Sequence, residues 1–232
     1  MAPALDQIKQ PIGLRPEHVA ASPTSIRVKM HGGASSLAAS DFTVTTDDST
    51  PGSTPTKLFS VDGHAVSWQR RRKFRDASDL PLFELARKKV GVTWFVYLPE
   101  DNGEPIATLA PKWSALKDKL NVFIRNAAHQ GEQVELEVRG QDIWKLRTNI
   151  YMNGSLIMTC KRTDKFAAYI PGKGLEWKVD VAQGVDVSLG SLIVVVLAQV
   201  MYHSSYPSSH SAKDEVDSGD GIAEKHVSRP SS

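Results

Sequence analysis

The chain has 232 residues, 41% of them hydrophobic, with 28 Lys and Arg against 26 Asp and Glu for a formal net charge of +2. That length suits one domain, or one domain with tails, and supports a sizeable core; the small net charge says little about partners until its distribution is known. A single cysteine, Cys160, excludes an intramolecular disulfide and a thiolate metal cluster, which suits a reducing compartment.

From Met1 to Ser25 there is neither an apolar core of signal-peptide length nor an arginine-rich amphipathic helix, and prolines recur at 3, 11, 16 and 23. Residues 1–22 read as a flexible, extended leader. The default location is cytoplasmic, with the nucleus or a peripheral position at membranes also open. From Ile26 the pattern changes to short strands broken by turn residues, with candidates at 26–30, 42–45, 57–61, 65–68, 72–76, 82–88, 92–98 and 105–110. The segment 34–55, rich in Ser, Thr, Asp, Gly and Pro, reads as a long loop around one of these strands.

Strict alternation then takes over. Leu120, Val122 and Ile124, and next Val134, Leu136 and Val138, alternate with polar neighbours, a period of two. Trp144, Leu146, Thr148 and Ile150 oppose Lys145, Arg147 and Asn149, residues 156–161 form another run, and Trp177, Val179 and Val181 oppose Lys178 and Asp180. Asp62-Gly63, Asp101-Asn102-Gly103, Asn153-Gly154 and the Pro171 to Gly174 run supply turn chemistry between strands. Roughly twelve strands at this spacing predict an antiparallel barrel or sandwich.

Near the C-terminus, only Ser191 and Gln199 are polar between Leu189 and Met201. A helix over 187–203 has no face left for water and must be surrounded by protein or lipid. It falls short of the roughly 20 apolar residues that span a bilayer, so it reads as a buried helix, with Asp186 placed to cap its start. The β-branched run Ile193 to Val196 favours strand on propensity alone, which the length and continuity of the stretch outweigh. A barrel of about twelve strands is too wide to be filled by its own side chains, so such a helix suits it as a plug. Residues 204–232, Ser-, His- and acid-rich without apolar periodicity, read as a disordered tail. The tail holds three cations against five carboxylates, so the net +2 of the whole leaves the rest of the chain at about +4.

The stretch Phe59-Ser60-Val61-Asp62-Gly63, Ser67, Arg71 to Asp76 and Pro81-Leu82-Phe83-Glu84-Leu85 resembles the opening repeat of the LURP-one-related proteins, and Gly184-Val185-Asp186 before an apolar helix resembles their C-terminus. The resemblance covers about residues 26–203. It implies the tubby C-terminal-like fold, a closed β-barrel around a central hydrophobic helix, within a domain at 23–203. It also implies a distant similarity to phospholipid scramblases. The turn Asp76-Ala77-Ser78-Asp79 departs from the family, which commonly has a glycine before the proline, and leaves the turn type open.

Catalytic patterns are missing. There is no G-x-S-x-G, no H-E-x-x-H, no P-loop, and no paired Cys or His at metal-ligand spacing; Gly172-Lys173-Gly174 lacks the rest of a Walker motif. The expectation is a non-enzymatic domain with no catalytic residues, metal or cofactor. In strand 156–161, Cys160 reads as a packed, inert thiol. The feature that points to function is basic: Arg70 to Arg75, then Arg87-Lys88-Lys89. Strand alternation turns Phe74 inward and puts Arg71, Lys73 and Arg75 on one outward face, where guanidinium and ammonium groups suit phosphate. Arg71, Lys73, Arg75, Arg87, Lys88 and Lys89 are therefore the candidate site for anionic phospholipid or phosphoinositide at a membrane surface. The opposing reading is a solvated face partly neutralised by Asp76, Asp79 and Glu84, on a scaffold that recruits protein partners. A nucleic-acid partner is disfavoured, because the tryptophans at 94, 144 and 177 fall on the apolar phase of their strands. No transmembrane span is expected.

Overall fold

A computed structural model describes residues 3–31, 41–47, 54–63, 71–99, 103–112, 119–142, 146–164 and 174–201. The strand candidate at 65–68 and the tail at 204–232 lie outside them. Twelve strands follow in order: β1 Thr24–Met30, β2 Phe42–Thr46, β3 Lys57–Gly63, β4 Arg72–Asp76, β5 Pro81–Arg87, β6 Trp94–Tyr97, β7 Ala107–Lys112, β8 Lys119–Asn126, β9 Glu132–Gly140, β10 Arg147–Met152, β11 Ser155–Arg162 and β12 Glu176–Val181. Each pairs antiparallel with the next, and β12 pairs with β1, so the sheet closes on itself without an edge.

The alternation that identified the strands is the alternation of the wall. In β1, Ile26, Val28 and Met30 are buried while Arg27 and Lys29 face out; β12 buries Trp177, Val179 and Val181. The hairpin β10–β11 turns at Asn153 and Gly154, both at positive φ (49° and 85°), the geometry a two-residue hairpin turn demands. The turn between β4 and β5 manages without glycine. Asp79 takes φ 63°, and the Asp76 carboxylate accepts the amides of Ser78 (2.8 Å) and Leu80 (2.9 Å), chemistry that aspartate supplies from its side chain.

The barrel is filled by helix α1, Val187–Met201. Every residue from Ser188 to Gln199 is buried. Gly190 lets the helix approach the wall: a Cβ there would meet Met158 Sδ at 3.3 Å and side-chain methyls of Val179 and Val181 at 3.6 Å. Among the described residues no helix is long and apolar enough to cross a membrane.

The leader is not a leader in the described structure. Residues 3–22 were expected to be flexible and to lie outside the domain; instead Ile12 and Leu14 are buried in the main core. Ile12 and Val19 form β-bridges with Val185 and Asp186, and Asn126 brackets the segment by accepting from the Gly13 amide (3.0 Å) and donating to the Pro11 carbonyl (3.0 Å). Burying the Ile12 and Leu14 side chains, at about 2 kcal/mol each, provides the drive, and paired backbone groups remove the cost of desolvating the strand.

On the outside, the Asp47 side chain is 4% exposed and accepts from Lys178 Nζ (2.7 Å) and Arg27 Nε (2.6 Å). The Lys178 hydrogen bond first, then that of Arg27, hold its carboxyl below the usual carboxylate range against the opposing effect of burial. A depressed folded-state value means that this contribution is present above the unfolded value near pH 4 and is lost as pH falls through the lower folded value. Asp47→Asn is therefore expected to flatten the loss of stability on acidification from about pH 5 downward, measured by urea unfolding across that range. An unchanged acid limb would show that the cluster does not couple to folding.

Candidate lipid-binding face

Strands β4 and β5 position the basic residues. Phe74 is fully buried, so Lys73 and Arg75 point out of the barrel, as alternation requires. On that outer face the cations meet carboxylates. Arg71 Nη1 lies 3.1 Å and Lys73 Nζ 3.9 Å from Glu84, which stands directly opposite Lys73 on β5. Arg75 Nε donates to Asp62 at 2.9 Å, and its Nη1 to the Asp79 carbonyl at 3.2 Å. Arg72 follows the phase of Phe74 and is 1% exposed, with its guanidinium 5.4 Å from the centre of the Phe42 ring. The run Arg71 to Arg75 is thus not a single basic face.

The second group sits where β5 ends at Arg87 and the hairpin connection to β6 begins with Lys88 and Lys89. Arg87 folds over it, donating through Nε (3.1 Å) and Nη2 (3.0 Å) to the Gly91 carbonyl, while the Lys88 amide bonds the Thr93 carbonyl at 2.8 Å. Gly91 takes φ 101°, a conformation in which a side chain would be strained. The result is a closed loop whose tip carries Val90, 81% exposed, and Val92, 47% exposed, beside the exposed Lys88 and Lys89. Among the described residues no carboxylate pairs with Arg87, Lys88 or Lys89. The register Arg72 to Leu85 places Arg71 at the same end of the barrel, so four of the six candidate cations converge there, and Arg75 lies towards the other end. Composition points to the lysines alone; the strand expected at 92–98 takes in Val92 and leaves Val90 between strands. The signal was present in Lys-Lys-Val-Gly-Val, where a glycine between two valines interrupts any strand.

The opposite barrel end is closed by chain. There a cavity of about 550 Å3 is lined by Glu17, His18, Thr24, Thr46, Phe59 and Val187 among others, with the His18 ring 4.9 Å from that of Phe59. Cys160 is buried against the wall, and burial pushes its thiol up to about 12, out of the range of a nucleophile at neutral pH. Among the described residues no three His, Cys, Asp or Glu side chains gather where they could hold a metal ion.

Comparison with known proteins agrees with this architecture. The family model described as LURP-one-related matches residues 24–198. A crystal structure of a protein from Arabidopsis thaliana is similar, with a TM-score of 0.53 and 18% sequence identity, over 81% of this chain and 97% of that one. At that identity the likeness concerns the fold. Comparison with curated proteins returns no match.

Proposed function

The chain belongs to the LURP-one-related family, and we propose that this member is a non-enzymatic binding module that docks on anionic phospholipid through the β5–β6 loop. The observation that carries the reading is the pairing of two solvent-exposed valines with three cations that have no carboxylate partner among the described residues. Exposed apolar tips have a use at a lipid interface, and cations beside them attract the anionic surface at about 1 kcal/mol each. Partial burial of two valines adds about 1 kcal/mol each, for a peripheral, reversible attachment of about 5 kcal/mol in all. Lys73 and Arg75 contribute less, since Glu84 and Asp62 already neutralise them.

Vesicle co-sedimentation tests this. Wild type is expected to pellet with phosphatidylserine-rich vesicles and to stay in solution with phosphatidylcholine. Arg87→Ala/Lys88→Ala/Lys89→Ala should lower the bound fraction at least about tenfold, and Lys73→Ala/Arg75→Ala only slightly. A triple variant that pellets like wild type would rule out the loop. A wild type that ignores every anionic vesicle would favour the protein-scaffold reading, for which the exposed Phe123 on β8 and Leu80 on the β4–β5 turn are the apolar contacts to test first.

A further inference from the structure

We infer that a hollow on the outer wall of β10, β11 and β12 is a second binding site, specific for a phosphorylated polyol and independent of the loop reading. Six outward positions form a grid there. The register sets Arg147 opposite Lys161 and Lys161 opposite Lys178; one step along, Asn149 faces Thr159 and Thr159 faces Asp180. The first row continues to Arg27 on β1, so four cations stand side by side across four strands.

Like charges directly opposite one another destabilise a sheet. Half of the row is neutralised: Asp47 bonds both Lys178 and Arg27, and Glu176 bonds Arg27 at 2.7 Å. Among the described residues nothing does the same for Arg147 or Lys161. These two line a cavity of about 310 Å3 with Asn149, Thr159, Asp180 and Pro3. Pro3 is held as its rim because Asp6 pairs with β11: its amide donates to the Leu156 carbonyl (2.8 Å) and its carboxylate accepts the Leu156 amide (2.6 Å).

The chemistry of the walls selects the ligand. A guanidinium and an ammonium on adjacent strands supply a fork and a point charge for one phosphate. Across from them stands Asp180, fixed by the Ser25 hydroxyl at 2.5 Å and the Thr159 hydroxyl at 3.3 Å. A carboxylate repels a second phosphate and accepts from hydroxyl groups, as does the side-chain oxygen of Asn149, whose Nδ2 is engaged by the Tyr151 hydroxyl at 3.0 Å. The occupant is therefore a monophosphate carrying several hydroxyls, whether a free sugar or inositol phosphate or a phosphatidylinositol head group. The volume fits one such unit.

Calorimetric titration of the full chain with myo-inositol 1-phosphate, and separately with inorganic phosphate, tests the site. Wild type is expected to bind the inositol phosphate with a Kd below about 1 mM and inorganic phosphate more weakly. Arg147→Ala/Lys161→Ala, both at exposed positions, should weaken binding at least about tenfold, and Asp180→Asn should erase the preference for the polyol. Arg87→Ala/Lys88→Ala/Lys89→Ala should bind as wild type does, which separates this site from the loop. In that loop variant, displacement of the probe by phosphatidylinositol vesicles would assign the lipid source, and its absence the free metabolite; both agree with the site. A wild type that binds neither phosphate compound, or an Arg147/Lys161 variant with undiminished binding, would overturn it.

Discussion

Replacing Asp186 by alanine is expected to remove about 4 kcal/mol of stability and to release the N-terminal segment from the barrel. Its carboxylate, fully buried, joins two parts of the chain. Oδ1 accepts the Ser188 amide (2.7 Å), the Ser188 hydroxyl (2.6 Å) and the Leu189 amide (3.3 Å), which caps the first turn of α1. Oδ2 accepts the amides of Leu14 (2.9 Å) and Arg15 (3.0 Å), 172 and 171 residues away. Loss of an N-cap costs about 1 kcal/mol, and each buried amide left without an acceptor costs about 1–3 kcal/mol. Against a typical domain stability of about 5–15 kcal/mol that is a large fraction. Asp186→Asn should also destabilise, because its NH2 must confront donors at one of the two oxygen positions. Gly13→Ala attacks the same junction sterically: its Cβ would stand 2.5 Å from the Asp186 Cβ, so the segment must lift. Urea unfolding gives the stability change, and hydrogen exchange at the Leu14 and Arg15 amides reports the release. An Asp186→Ala protein with wild-type stability and protected amides would refute the junction.

Val195→Asp is expected to abolish the folded state. Val195 is fully buried at the middle of α1, inside a barrel whose buried residues are mainly apolar. An unpaired carboxylate taken out of water there costs several kcal/mol, comparable to the entire stability of a domain of this size. Val195→Ala keeps the chemistry and removes volume, so it should fold and lose about 2 kcal/mol. Circular dichroism and thermal unfolding of the pair distinguish a central plug from a peripheral helix. A soluble, cooperatively folding Val195→Asp protein would show that the helix does not fill the barrel.

The wall and the plug were legible in the sequence because both are repetitive. Val134, Leu136 and Val138 show a period of two, and Leu189 to Met201 leave no polar face, so pattern alone yields a barrel that needs filling. The strap formed by residues 3–22 left no pattern. Besides the two isolated apolar side chains of Ile12 and Leu14, its anchors are backbone groups held by Asn126 and Asp186, and a backbone donor has no letter of its own. The cap at Asp186 was read correctly but incompletely, since capping explains only one of its oxygens.

The candidate site was legible as composition and not as geometry. Glu84 opposite Lys73 follows from register, and register is invisible in a run of basic letters broken only by Phe74. The hollow on β10–β12 shows the same limit more sharply. Counting back from the turn at Asn153-Gly154 pairs Arg147 with Cys160; an irregularity between Ile150 and Tyr151 shifts the ladder by one and brings Lys161 opposite instead. One extra residue decides whether two cations that lack a carboxylate partner among the described residues meet.

The most direct test of the functional account is the depth of the β5–β6 loop at a membrane. A polarity-sensitive dye on Val90→Cys reports it, and Cys160, buried and with its thiol raised to about 12, will not compete for the label. A blue-shifted, brighter emission is expected on adding phosphatidylserine-rich vesicles, absent with phosphatidylcholine and lost on Arg87→Ala/Lys88→Ala/Lys89→Ala. An emission that stays that of a water-exposed dye at every anionic lipid content would contradict it.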